Sequence, residues 1–270
     1  MVKLKIGIIG CGTIGSQIAL ACQGVLKDKI ELAAICDIDG TKVEALLESL
    51  DVKPKVVSID ALIKRCRLVV EASSAKVSGD ILDKCVKAKR DCMIMSVGGL
   101  IGREALLDKA RAKGVRVYIP SGAICGVDGL KSASVGRIDS VTLTTSKPPK
   151  GLSGAPYLKD RGINVFSITE ESVVFEGSAE EAIAGFPQNV NVSAVLSLAG
   201  LGAKRTRVKI VTSPDFTANV HTLEIEGECG KITTRTENVP SKSNPKTSEL
   251  AVFSAIATLA GIGNTVRAGT

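Results

Sequence analysis

Three glycines mark the stretch whose residue types and spacing are best suited to holding a phosphate. Gly10, Gly12 and Gly15 follow a short apolar run and open a segment with helical spacing. The first permits a tight turn, the second leaves room for a phosphate beside the backbone, and the third lets the helix lie close to the sheet. Thr13 and Ile14 begin that helix, where free N–H groups and the helix dipole favour an anion.

An acidic residue follows at the spacing that a dinucleotide requires. A second apolar run, 30–36, ends at Asp37, which comes 22 residues after Gly15. In a strand–turn–helix–strand unit, an acid about 20 residues further on binds the ribose hydroxyls of the cofactor. The stretch therefore predicts an NAD-binding site. The alternative is a glycine-rich turn in a sheet that binds nothing.

His221 is the only histidine of the chain and the first candidate for proton transfer. If its segment is a strand, His221 shares one face with Asn219 and Leu223, opposite Val220 and Thr222. Histidine titrates near neutral pH, which suits an acid or base in a dehydrogenase. A buried, hydrogen-bonded histidine without a catalytic role would have the same surroundings in sequence, and the residues alone leave this open.

Polar residues at two predicted helix starts are candidates for ligand contacts. Asn189 is either an N-cap or an amide that holds the nicotinamide half of the cofactor. Lys246, Thr247 and Ser248 open the last predicted helix, where they could hold a carboxylate or serve only as a cap and a surface lysine. Further candidates for a carboxylate lie in the loop predicted after residue 146 and beyond it: Lys147, Lys150 and Arg161.

Strands and helices alternate through the first part of the chain. Apolar runs predict strands at 56–57, 68–72, 93–95 and 115–119, and helical spacing predicts helices at 41–50, 60–65, 75–89 and 102–113. Val77, Ile81 and Cys85 are expected on the buried face of one of these helices. Such alternation predicts a doubly wound parallel sheet.

The pattern changes after residue 122. Strands are predicted at 138–146, 173–175, 208–211, 220–225 and 231–237, helices at 125–135, 179–184, 189–201 and 247–262, and a Pro- and Gly-rich loop at 147–156. We expect a dinucleotide-binding domain over 1–122 and a smaller α+β substrate domain with an open, mainly antiparallel sheet over 123–244. The C-terminal helix, within 245–270, is expected to pack back on the first domain.

Composition excludes several classes of protein. The chain has 270 residues, enough for about two domains. It shows no apolar run long enough to span a membrane, no signal peptide, and no motif for a metal. Eight cysteines without a CxxC pair indicate free thiols in the cytoplasm. The net charge is +7, but scattered basic residues and 3% aromatics do not favour nucleic acid, so the charge either steers anionic ligands or only aids solubility.

The chain resembles the L-aspartate dehydrogenase family over essentially its whole length. The resemblance rests on the glycine turn and on five segments: SVGGL at 96–100, PSGA at 120–123, FPQNVNV at 186–192, NVH at 219–221 and NPKTS at 244–248. It implies a Rossmann domain with a smaller α/β domain, His221 as the catalytic residue, and contacts from Ala123 and Asn189 to NAD.

The resemblance also implies a reaction. L-aspartate is oxidised to iminoaspartate, which is hydrolysed to oxaloacetate and ammonia or passed to quinolinate synthesis for NAD. Ile38 stands where an NADP-specific site favours Arg. Because the family often accepts both cofactors, NADP remains possible, with Lys42 assisting a 2′-phosphate. We expect a homodimer.

Two other interpretations remain open. The chain could be another two-domain reductase, related to dihydrodipicolinate reductase or homoserine dehydrogenase, although a dihydrodipicolinate reductase is expected to carry a pair of histidines. It could also be a non-catalytic protein that senses NAD. Such a sensor would keep the glycine turn but would not need His221 or the segment 244–248.

Overall fold

The structure is a computed structural model that describes residues 2–187, 191–239, 247–262, 264–266 and 268–269. The chain divides into two compact units: Met1–Pro120 with Val252–Thr265, and Ser121–Ala251 with Val266–Thr270. Each unit contains its own sheet. Asn189 and Lys246, both expected to bind ligands, lie outside the described residues.

The first unit is built on a parallel sheet of six strands. In chain order these are Leu4–Ile9 (β1), Ile30–Cys36 (β2), Lys55–Val56 (β3), Leu68–Glu71 (β4), Asp91–Ile94 (β5) and Val117–Tyr118 (β6). The spatial order is β3-β2-β1-β4-β5-β6. β4 is buried at every position, as a strand covered on both faces must be. This confirms the predicted doubly wound sheet: all strands are parallel, and successive strands are added on one side of β1 up to β3 and on its other side from β4 onward.

Helices connect these strands. They are Thr13–Gln23 (α1), Gly40–Ser49 (α2), Ile59–Arg65 (α3), Ala75–Lys87 (α4) and Glu104–Ala112 (α5), with a 3-10 helix at Val97–Leu100. Ser58 caps α3, because its hydroxyl oxygen accepts the N–H of Ala61 at 3.4 Å. The predicted inner face of α4 is wrong at one position. Val77 is exposed, and the core-facing row begins with Ser78 and continues through Ile81 and Cys85.

The second unit contains a mixed sheet of five strands. These are Ile138–Lys147 (β7), Ser172–Ser178 (β8), Arg207–Thr212 (β9), Asn219–Gly227 (β10) and Gly230–Asn238 (β11). Their order is β11-β10-β7-β9-β8. β7 and β9 are parallel and the other neighbouring pairs are antiparallel, so the sheet is mainly antiparallel, as predicted.

Five helices of the second unit are Val127–Ala133 (α6), Pro149–Leu152 (α7), Pro156–Asp160 (α8), Ala179–Gly185 (α9) and Asn191–Ala199 (α10), with a 3-10 helix at Val165–Ser167. The loop predicted at 147–156 is therefore wrong. Two of its three prolines, Pro149 and Pro156, occupy the first positions of α7 and α8, where the fixed φ of proline favours a helix. Leu152 and Leu158 pack with Phe175 and Phe186 in one apolar cluster, which holds both short helices.

The last helix of the chain is Glu249–Gly261 (α11). Ala255 and Leu259 on this helix lie in the core cluster of the first unit, together with Ile8 and Met93. Among the described helices, none combines the length and the apolarity needed to cross a bilayer.

Candidate functional site

Two of the three glycines in the turn after β1 are required by the packing of the protein itself. Gly10 has φ +103°, and a Cβ atom there would lie 2.3 Å from the carbonyl oxygen of Ala72. A Cβ on Gly15 would lie 1.9 Å from the carbonyl oxygen of Gly10. A Cβ on Gly12, in contrast, would meet no atom within 4 Å. Gly12 therefore leaves open space at the start of α1, where a phosphate can approach the N–H groups of the helix.

The acid at the end of β2 lies against this turn. Asp37 Oδ2 accepts the N–H of Cys11 at 2.6 Å, and Oδ1 accepts the N–H of Asp39 at 2.9 Å. Ile38 is fully exposed, and Lys42 forms an ion pair with Asp39 at 3.3 Å. The open space at the helix start and the carboxylate beside it fit the pyrophosphate and the ribose of a dinucleotide.

The thiol in the middle of the turn is not reactive. Burial, and secondly the negative charge of Asp37, raise the pKa of Cys11 to about 12. The thiol therefore stays neutral at physiological pH. All eight cysteines of the chain are free thiols.

A buried carboxylate that was not among the predicted site residues fixes the loops after β4 and β5. Glu71 is fully buried, and its Oε1 accepts both the N–H and the hydroxyl of Ser73 at 2.8 Å. Its Oε2 accepts the N–H of Ser96 at 3.0 Å. The only signal in the sequence was an acid at the end of a continuous apolar run. Because the carboxyl ends of parallel strands carry the ligand site in such sheets, Glu71 holds two loops at the edge that a dinucleotide occupies.

In the second unit, His221 lies on the core-facing side of β10. It is buried, as are Leu223 and Ile225 on the same face, whereas Val220 and Thr222 are half-buried. The predicted orientation of this strand is confirmed. His221 pairs with Thr145 of β7, and its Nδ1 lies 3.0 Å from the threonine hydroxyl. When Nδ1–H donates to this hydroxyl, Nε2 is the basic nitrogen of the ring.

The same face of β7 carries a buried lysine at its last position. Lys147 follows Leu143 and Thr145 along the row of side chains that point to the core. Burial lowers the pKa of Lys147 to about 8. Burial, and secondly the positive charge of Lys147, lower the pKa of His221 to about 3. The core face of β7 and β10 is thus apolar in its middle and polar at one end.

The other two candidates for a carboxylate in this region have different surroundings. Lys150 is exposed, and the Arg161 guanidinium lies 4.5 Å from the centre of the Tyr157 ring. Lys147 is the candidate that the structure brings together with His221. The strand predicted at 138–146 stops one residue short of the observed end of β7, and one more residue of the same alternation places Lys147 on the buried face.

Ser248 and Ala123, two further predicted site residues, are linked by Asn238 at the end of β11. The amide of Asn238 donates to the carbonyl oxygen of Ala123 at 3.0 Å, and its Oδ1 accepts the hydroxyl of Ser248 at 2.5 Å. The N–H of Leu250 donates to Ser248 Oγ at 3.2 Å, so Ser248 caps the start of α11. Thr247 is half-buried beside it.

Metal ligation has no candidate among these side chains. In the part of the chain that the structure describes, no three His, Cys, Asp or Glu side chains are placed to hold a metal ion.

Two family models match the chain. Residues 128–262 match the C-terminal domain of aspartate dehydrogenase. Residues 10–120 match the NAD-binding domain of homoserine dehydrogenase. The two matches together include the glycine turn, Asp37, Lys147 and His221.

The chain also has curated relatives that it matches over nearly their whole length. An L-aspartate dehydrogenase from Methanosarcina acetivorans is 47% identical, over 99% of this chain and 100% of the relative. One from Bradyrhizobium diazoefficiens is 39% identical, over 99% of this chain and 95% of the relative. The crystal structure of aspartate dehydrogenase from Thermotoga maritima matches with a TM-score of 0.76 at 27% identity, over 99% of this chain and 100% of that one.

Proposed function

The chain belongs to the L-aspartate dehydrogenase family and is an NAD(P)-dependent oxidoreductase, and we propose that it oxidises L-aspartate at Cα to iminoaspartate. The observation that carries this proposal is the buried pair of His221 and Thr145, with Lys147 on the same face of the sheet. A neutral imidazole and a cation suit a substrate that must lose a proton and that carries carboxylates.

The first unit binds the cofactor in this proposal. The N–H groups of Thr13 and Ile14, beside the open space at Gly12, hold the pyrophosphate, and Asp37 accepts the ribose hydroxyls. Because a carboxylate repels a 2′-phosphate, NAD is the preferred cofactor. Ala123 and Asn189 are proposed as further contacts to it. When bound, the nicotinamide ring supplies the hydride acceptor.

His221 is the proposed catalytic base. With Nδ1–H donated to Thr145, its Nε2 accepts a proton from the substrate amine or from the water that attacks the imine. Burial keeps the ring neutral in the substrate-free protein, and neutral is the form that this role requires. Lys246, Thr247 and Ser248 are proposed to contact a substrate carboxylate.

The product has two proposed fates. Iminoaspartate is either hydrolysed to oxaloacetate and ammonia or consumed by quinolinate synthesis for NAD. The proposal includes a homodimer, which a mass measurement in solution tests, and a cytoplasmic location, which the eight free thiols support.

A substrate panel tests the proposed function. L-aspartate, L-asparagine, L-malate and L-homoserine are each supplied with NAD, and NADH formation is followed. We expect turnover of L-aspartate alone. Asparagine has an amide and homoserine has a hydroxyl in place of the second carboxylate, and malate lacks the amine. Preferred turnover of homoserine would instead support a homoserine dehydrogenase. NAD binding without turnover of any compound would indicate a sensor.

A further inference from the structure

Lys147 occupies a position that is unusual for a lysine. It is the last residue of β7 and is only 7% exposed, on a face that otherwise carries Val141, Leu143 and Thr145. Lysine is rarely buried to this extent without a role for its charge, because an ammonium group loses its hydration there. A residue that served only to fill this space would be apolar, as Val141 and Leu143 further along the same face are.

The surroundings of Lys147 are polar on the side of β10. The charge of Lys147 acts on His221, which lies across from Thr145. Asn219 begins β10 and lies near Lys147. Asn219 Oδ1 and the methylene carbons of Lys147 both lie within 4 Å of the position that a Cβ atom on Gly151 of α7 would take. One buried cation, one neutral imidazole and an amide thus border the same end of the sheet.

We propose that Lys147 binds a carboxylate of the substrate beside His221. This inference rests on the proposed function, which requires a dicarboxylic substrate. Charge-assisted hydrogen bonds between an ammonium group and a carboxylate are among the stronger ones in proteins, and Lys147 offers such a group on the buried face that also carries His221. The same contact places the substrate next to the base that takes its proton. Lys147 is therefore a substrate-binding residue in addition to the contacts proposed at the start of α11.

The contact has a defined pH dependence. Only the protonated amine attracts a carboxylate, so affinity is retained at neutral pH and is lost as the pH rises above the pKa of Lys147, about 8. On the neighbouring elements, β10 presents His221, whose pKa is about 3 and which stays neutral in this range. β9 presents Thr212 and α7 presents Gly151, neither of which titrates. Lys150 of α7 is exposed.

Succinate is the probe that isolates this contact. It carries two carboxylates and no amine, so unlike aspartate it does not titrate between pH 7 and 9.5. Its affinity for the full-length protein saturated with NAD is measured by calorimetry at both pH values. The variants are Lys147→Met, Lys147→Arg, and Lys209→Met as a matched control. Lys209 is on β9 of the same sheet, where it pairs with Glu176 on the exposed side.

We expect the wild type and Lys209→Met to lose about 30-fold in succinate affinity between pH 7 and 9.5, as the protonated fraction falls. Lys147→Met should bind succinate at least about tenfold more weakly at pH 7 and show no such pH dependence. Lys147→Arg should retain measurable affinity at both pH values, because arginine stays charged. NAD affinity and melting temperature, measured on each variant, establish that it is folded.

Three outcomes would overturn the inference. The first is a folded Lys147→Met protein with wild-type succinate affinity and pH dependence. The second is a variant whose kcat falls while its succinate affinity is unchanged, since this assigns Lys147 to proton transfer. In both of these cases aspartate turnover by the wild type leaves the proposed function standing. The third is a wild type that neither binds succinate nor oxidises aspartate, and this result rejects both proposals.

Discussion

At the scale of single residues, the central feature is that His221 does not titrate where an ordinary histidine does. The sequence suggested a group that changes charge between pH 5 and 8. Burial and the nearby Lys147 instead lower its pKa to about 3, so the ring is neutral throughout the physiological range. A base that is already deprotonated needs no rise in pH to become active.

Removal of the imidazole should therefore affect turnover rather than cofactor binding. We predict that His221→Ala lowers kcat by about 10²–10⁴, the usual contribution of a positioned acid or base. NAD affinity should persist, because the glycine turn and Asp37 belong to the other unit. Thr222→Ala, at a half-buried position on the opposite face of β10, is the control. Its kcat should remain within about twofold of the wild-type value. A folded His221→Ala protein with near-normal kcat would exclude this residue from the reaction.

The same pKa predicts a pH dependence of stability. In the unfolded chain a histidine binds a proton below about pH 6.5, whereas folded His221 does not until about pH 3. As the pH is lowered, the unfolded state therefore gains a proton before the folded state does. The free energy of unfolding decreases as the pH falls through this window, by at most about 1.4 kcal/mol per pH unit. The difference in unfolding free energy between wild type and His221→Gln should change between pH 6.5 and 4. Parallel curves would show that His221 is not buried in its neutral form.

The residue types that could do chemistry were visible in the sequence, but their relationships were not. His221 was selected because it is the only histidine of the chain. Thr145 and Lys147 could not be joined to it, because β7 and β10 are about 75 residues apart in the chain and local periodicity carries no information on which strands pair. Glu71 was missed for a related reason, since its hydrogen-bond partners lie in the loops of two different strands.

At the scale of elements, the turn between β1 and α1 separates glycines that serve the fold from a glycine that serves a ligand. Gly10 and Gly15 are each required by close backbone contacts, and Gly12 is required by none. The three positions look alike in the sequence, where the motif assigns each a role only by analogy with other dinucleotide sites.

Alanine substitutions should distinguish these two roles. Gly12→Ala places a methyl group where a phosphate must approach, so we predict at least about a tenfold loss of NAD affinity with stability within about 0.5 kcal/mol of wild type. Gly15→Ala should instead destabilise the protein by about 1–3 kcal/mol or more, because its Cβ collides with the Gly10 carbonyl. Binding titrations and thermal unfolding of both variants test this. Unchanged NAD affinity in Gly12→Ala would show that the cofactor phosphate does not bind at the start of α1.

The strands and helices of the first unit were predictable because buried parallel strands are continuous apolar runs between amphipathic helices. The segment 147–160 was not, because proline favours both a loop and the first turn of a helix. Only the tertiary contacts of Leu152 and Leu158 with Phe175 decide in favour of helices. The burial of Val77 was predicted wrongly for a similar reason. Helical spacing is compatible with a buried face that begins at Val77 or at Ser78, and only the packing of α4 decides between them.

At the scale of the whole molecule, the positive charge is not distributed evenly. A cavity of about 780 Å³ lies at the amino ends of the first sheet, and seven basic residues line it: Lys3, Lys5, Arg65, Arg67, Lys89, Arg90 and Arg116. The glycine turn follows the opposite end of β1, a strand of six residues and so about 20 Å long. This separation exceeds the Debye length of about 8 Å at physiological salt.

This cavity should therefore not steer the cofactor. We predict that the triple variant Arg65→Gln, Arg67→Gln and Lys89→Gln keeps the wild-type value of kcat/KM for NAD at physiological salt. The ionic-strength dependence of that constant, measured from about 0.05 to 0.5 M salt, should also match wild type, because only charges within about a Debye length act strongly. A clear fall in kcat/KM that added salt abolishes would assign this basic surface a role in cofactor capture.

The transfer of deuterium from substrate to cofactor tests the central claim, oxidation of L-aspartate at Cα, most directly. The wild-type protein is supplied with NAD and with L-aspartate deuterated at Cα, and the NADH formed is analysed by mass spectrometry and NMR. We predict that deuterium appears at C4 of the nicotinamide, because the hydride comes from Cα. NADH that lacks the label, or no NADH that depends on aspartate, would contradict the claim.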